Sequence, residues 1–154
     1  MKYFIPLFLA SALAVHAGVT ITQDQSASLE NKFLKRSISL KGNMPTLSIA
    51  NKIDGKSLTP NAGHAFAIHL ADGSTLTPAD FQILETKDAS EKGSSNLTVS
   101  LTCKKHALKA ALHYSLKDGD FYLRKHLTLT PGKKIEVKKI DLESLALTEA
   151  YQPY

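Results

Sequence analysis

The side chains that could do chemistry in this chain are few and scattered. His64, His69, His106, His113 and His126 invite a metal site. Two ligands on one strand face need His-x-His spacing, because strand side chains alternate with period two. That spacing is absent, and His64 and His69 fall on opposite faces of a regular strand, so no metal and no cofactor is expected. Asp118 and Asp120 flank Gly119 as in a fragment of a calcium loop, yet the further spaced oxygens of such a loop are missing. A hairpin turn explains them better. Cys103, the sole cysteine, continues the Leu97, Val99, Leu101 face of a strand, which predicts a buried, inert thiol. No nucleophile elbow, phosphate loop or dinucleotide fingerprint is present, and no acid/base pair stands out. No catalytic residue is expected.

Three charges sit in apolar registers. Lys125 shares a face with Phe121, Leu123, Leu127 and Leu129; Arg36 shares one with Leu34, Ile38 and Leu40; Glu85 shares one with Phe81 and Ile83. A lone buried charge requires a partner, so the two cations and Glu85 could pair inside the fold. The alternative is that these strands lie near sheet edges, where long stems cover apolar surface while their heads reach water. The second reading is the stronger, for Lys125 more than for Arg36. All three are expected to be structural.

The elements that must position these residues are almost purely β. Alternating or β-rich runs cover 33–40, 46–51, 65–70, 81–86, 97–103, 108–116, 121–129 and 135–147, separated by Gly, Asn and Pro turn signals. Asp118-Gly119 is the strongest hairpin signal, predicting a tight turn with positive φ between 108–116 and 121–129. Around Thr77-Pro78 at most one helical turn is expected. In the last run, Ile135 and Val137 share one parity, Ile140 and Leu142 the other, and Leu145 and Leu147 return to the first. A regular strand cannot change face twice, so bulges or passage around a curved sheet are predicted. The fold class is all-β, an antiparallel sandwich. The abrupt end "YQPY" makes it read as incomplete.

Residues 1–17 read as a secretory signal peptide: Lys2, an apolar core, then Val15-His16-Ala17 as a cleavage site. A secreted or periplasmic protein follows, with no membrane attachment after cleavage. Residues 18–27 form a lead-in, and 28–154 one β-sandwich domain. The net charge of +5 is carried by scattered lysine pairs without an arginine stripe, which argues against nucleic acid.

The stretch "SLENKFLKRSISLKGNMPTLSIANKIDGKSL" resembles the opening of the N-terminal β-supersandwich (galactose-mutarotase-like) domain of melibiase-type α-galactosidases and related secreted glycoside hydrolases. Leu29, Asn31, Leu34, Arg36, Ile38 and Leu40 match its first strand pattern; Leu47, Ile49 and Asn51 match its second. "HAFAIHLADGSTLTPADFQI" and "FYLRKHLTLTPGKKIEVKKIDLESLAL" are similar to later blocks. In that family the supersandwich precedes a (β/α)₈ barrel carrying the catalytic carboxylates, and no part of that barrel is present in this sequence. The resemblance therefore implies a non-catalytic accessory domain whose partner is a catalytic barrel or another protein surface. A standalone carbohydrate- or protein-binding module is the alternative. For sugar contact the chain lacks tryptophan. Tyr114 shares the apolar parity of Leu108, Leu112 and Leu116 and reads as core, which leaves Tyr122 as the carbohydrate-contact candidate.

Overall fold

The computed structural model describes residues 18–147, and the expected signal peptide and the C-terminal "YQPY" lie outside them. The chain is all-β and antiparallel, a sandwich-like fold with no α-helix among the described residues. One sheet runs β1 (Gly18–Ile21), β2 (Ser26–Glu30), β3 (Leu34–Ser39), β4 (Thr46–Asn51) and β5 (Ser57–Leu58) in sequential order. The segment read from the sequence as a lead-in thus supplies β1 and the start of β2.

After β6 (Ala62–His64), β7 (Ala67–Leu70) and β8 (Thr75–Leu76), the second large sheet is a meander. It comprises β9 (Gln82–Asp88), β10 (Ser94–Cys103), β11 (Leu108–Lys117) and β12 (Arg124–Pro131), with β9 and β12 at its edges. The last run divides into β13 (Val137–Asp141), which pairs with β7, and β14 (Ser144–Ala146), which pairs with β6. The anticipated irregularity takes the form of a register shift between Val137 and Lys139 and a break at Leu142-Glu143.

Strict alternation builds the core. Along β10 every second residue from Ser95 to Cys103 is buried, and β11 answers with Leu108, Ala110, Leu112, Tyr114 and Leu116. Ala27, Leu29, Ile38 and Leu40 come from the other sheet, and Phe66 meets Phe81 edge-on at 5.5 Å between ring centres. Cys103 is buried among them, as its register requires. Thr77 precedes a single 3₁₀ turn, Pro78–Asp80, whose Asp80 carboxylate accepts from the Thr77 N–H at 2.8 Å.

The β11–β12 connection differs from the tight turn expected. Residues 118–123 form a longer loop in which Asp120 N–H donates to Lys117 O, and Gly119 does not adopt positive φ. A side chain reinforces that turn bond. Asn31, fully buried, donates its amide to Lys117 O at 2.7 Å and Asp120 O at 2.8 Å. Its own oxygen accepts from Phe33 N–H and Leu34 N–H. One residue thereby ties the β2–β3 corner to the β11–β12 loop.

Candidate functional site

Two β-bulges decide which charges enter the interior. In β4 the register slips at Leu47, so Thr46 lies opposite Ile38 and Ile49 opposite Arg36, while Leu47 is expelled to the surface. In β9 the slip falls at Leu84: Ile83 pairs with Leu101, but Glu85 pairs with Ser100 on the outer face. Glu85 is exposed and takes no part in the interior. Counting parity through an unseen bulge placed it on the wrong side.

The carboxylate that does meet the two cations is Glu143, at the break between β13 and β14. It accepts from Arg36 Nη2 at 2.5 Å, Lys125 Nζ at 2.8 Å and Thr46 Oγ1 at 2.9 Å. Lys125 also donates to Ala65 O at 2.6 Å, and its side chain is only 9% exposed. The expectation that Lys125 and Arg36 snorkel to water is therefore corrected: both heads point inward to a common anion. Edge placement holds for Lys125, since β12 is the outermost strand of its sheet, but not for Arg36, whose β3 is the middle strand of the other. Arg36 Cζ and Lys125 Nζ lie 5.8 and 5.3 Å from the ring centre of buried Tyr114, so the aromatic face helps offset the second positive charge. Burial raises the affinity of Glu143 for a proton, but Lys125 and Arg36 outweigh it and hold the carboxyl below the usual glutamate range. For Lys125 burial dominates and lowers the ammonium's pKa despite Glu143. Such a carboxylate is held ionised and is poorly suited to act as a general acid.

Glu143 carried a legible signal. It shares the parity of Leu145 and Leu147, as Arg36 and Lys125 share theirs with neighbouring apolar residues, but two parity changes in that run concealed it.

Next to this cluster the core is open. Val137 pairs with Leu70 and Ile140 with Ile68, so both β13 residues share the face of two interior side chains. They are nevertheless 40% and 42% exposed, and Leu142 beside them is 43% exposed. β13 is the edge strand of its sheet and β12 of its own, and Leu127 and Leu129 of β12 are half-buried against the core. The Lys125–Glu143 and Lys125–Ala65 contacts bridge β12 to this side of the fold. The sandwich thus exposes apolar side chains of interior register along β13, the edge strand of its sheet.

At one end of β12, the loop 118–123 carries Phe121 and Tyr122. The sequence places Phe121 inside. Instead it is 64% exposed, stacked on Phe33 at 4.1 Å, because β12 begins only at Arg124. Tyr122 is 53% exposed, with the Arg124 guanidinium over its ring at 4.5 Å and bonded to its hydroxyl; Arg124 is also paired with Asp120. A groove of about 440 Å³ brings Lys105 and His106 beside Lys133 and Lys134, members of two separate lysine pairs. Among the described residues, no group of three or more His, Cys, Asp or Glu side chains is placed to hold a metal. No helix there is long and apolar enough to cross a membrane.

No protein-family model matches the sequence, and no curated protein matches it.

Proposed function

We propose that this chain is an exported, non-catalytic accessory domain of an α-galactosidase-like glycoside hydrolase. In this reading its open β12/β13 edge docks on a catalytic (β/α)₈ barrel. The observation that carries it is the exposure of Val137 and Ile140, whose strand register assigns them to the interior face. Interior-type residues left uncovered at an edge strand mark a surface shaped for another chain segment or domain. The resemblance of the strand pattern to supersandwich domains supports a catalytic barrel as the occupant. The half-buried carboxylates beside this edge are both committed to cationic or histidine partners, Glu143 to Arg36 and Lys125 and Asp141 to Lys139 and His69, which fits a scaffold rather than an acid/base site. Lys133, Lys134, Lys138 and Lys139 around the edge favour a partner with an acidic rim.

The test has two parts. The coding region beyond Tyr154, or an adjacent reading frame, is sequenced; a barrel there supports the reading, and a stop followed by unrelated sequence rejects it. The chain and that barrel are then assayed for galactosidase activity separately and together. Activity is expected from the barrel and none from this chain alone.

A standalone carbohydrate-binding module is the second reading, favoured by one observation. Phe121 and Tyr122 are exposed on a loop braced by Phe33, Arg124 and Asn31, and rigid exposed aromatics suit stacking on sugar rings. Chemical-shift changes at Phe121 and Tyr122 on adding galactose oligosaccharides would favour it; their absence leaves the docking reading alone.

A further inference from the structure

The outer face of the four-stranded sheet carries a pair of histidines that neither the core nor the docking edge uses. His113 on β11 and His126 on β12 are directly opposed across the ladder, with Thr98 of β10 opposite His113 on the other side. Their imidazoles stack at 4.4 Å between centres and 18° between planes. Thr98 Oγ1 lies 3.1 Å from His113 Nδ1. We propose that His113 and His126 form a two-imidazole site for a borderline divalent transition ion, copper(II) above all.

The chemistry follows from the placement. Directly opposed residues hold their Cβ atoms roughly 4.5–5.5 Å apart. Imidazole lone pairs lie in the ring plane, so the stack itself does not chelate. The exposed His126 must swing out of it about its side-chain torsions, while His113 stays on Thr98, to aim two ring nitrogens at one ion with metal–nitrogen bonds of about 2.0–2.1 Å. When His113 binds through Nε2, its Nδ1–H donates to Thr98 Oγ1. That contact fixes tautomer and ring orientation, as outer partners of metal-bound histidines do. Half-burial and the neighbouring ring keep His113 below the ordinary histidine pKa of 6.5, in the neutral form a metal requires. Arg124, two residues from His126 on the same face, is occupied by Asp120 and Tyr122. With two nitrogen donors and water completing the shell, the site suits tetragonal copper(II). That ion heads the affinity series for divalent ions, whereas magnesium and calcium want oxygen ligands. The ion would clamp β12 to β11 from the face opposite Lys125 and Leu127.

The test is titration of the chain with copper(II) in a weakly chelating buffer, followed by electron paramagnetic resonance. One equivalent is expected to bind with nitrogen hyperfine structure from two imidazoles. H126A should abolish that signal while far-UV circular dichroism stays unchanged, since His126 is exposed. T98V should keep two-nitrogen coordination but weaken binding by about tenfold. Unchanged copper affinity in H126A, which would place the ion at other histidines, overturns the proposal. So does a wild-type spectrum showing a single nitrogen.

Discussion

Replacing Glu143 by glutamine keeps the side chain's size and one acceptor oxygen while removing its charge. Lys125 and Arg36 are then left with two buried positive heads and no counter-ion. Breaking a buried pair by deleting one partner costs about 3–5 kcal/mol. Glu143 is 24% exposed, so water can partly solvate the stranded cations, and the lower end applies: about 3 kcal/mol. For a domain of this size that is a fall in Tm of about 10 °C. The chain lacks tryptophan, so urea unfolding is followed by far-UV circular dichroism, with the denaturant slope unchanged if both states keep their surface. The charge count makes a sharper prediction. Lys125→Met leaves Glu143 and Arg36 as a balanced pair and lays an apolar stem near Tyr114, costing only about 1–2 kcal/mol. Added to Glu143→Gln, it removes one stranded cation, so the double variant should be more stable than Glu143→Gln alone by about 1 kcal/mol. A loss below about 1 kcal/mol for Glu143→Gln would refute this reasoning, as would Lys125→Met adding to the damage instead of relieving it.

Acid should act through the same group. The folded Glu143 carboxyl titrates below its ordinary 4.5, so its contribution is complete above that pH and is lost as pH falls through the lower folded value. Stability curves against pH should steepen below about 4.5, and less so in Glu143→Gln; equal slopes would contradict the assignment. Asn31→Ala removes the partner of Asp120 O and of the Phe33 and Leu34 N–H groups, and one of the two donors to Lys117 O, at the β2–β3 corner and the 118–123 loop. About 3 kcal/mol should be lost, with amide exchange rising in both segments rather than one. Gly63→Ala would place a Cβ 2.1 Å from Ser144 O, so the β6–β14 pairing must separate. The expected cost is about 2–3 kcal/mol, measured by urea unfolding, with new exchange at residues 144–146.

Much of this architecture was legible because regular strands keep count. The alternation of β10 and β11 identifies their buried residues, Cys103 and Tyr114 among them. Where counting failed, a bulge had intervened. The slip at Leu84 turned Glu85 outward, and the slip at Lys138 set Val137 and Ile140 on the face of Leu70 and Ile68. Bulges leave no fixed residue signature, so parity alone cannot locate them. The shorter strands β1, β5, β6 and β8 were missed for a related reason: two to four residues are too few to establish a period. Lys125 stands out by its register, but its partner lies 18 residues away in the break between β13 and β14. Only the tertiary fold joins them. Likewise, Phe121 obeyed the parity of β12 on paper, and its exposure reflects where that strand starts.

The docking reading is tested most directly by amide exchange along residues 137–142, in the isolated chain and in complex with its catalytic barrel. The account predicts rapid exchange at the free β13 edge, strong protection on docking, and loss of both protection and binding in Ile140→Lys. That variant should itself remain within about 1 kcal/mol of the wild type, because Ile140 is already 42% exposed. Unchanged exchange at β13 in the complex, or undiminished binding by Ile140→Lys, would contradict the claim that this open edge is the docking surface.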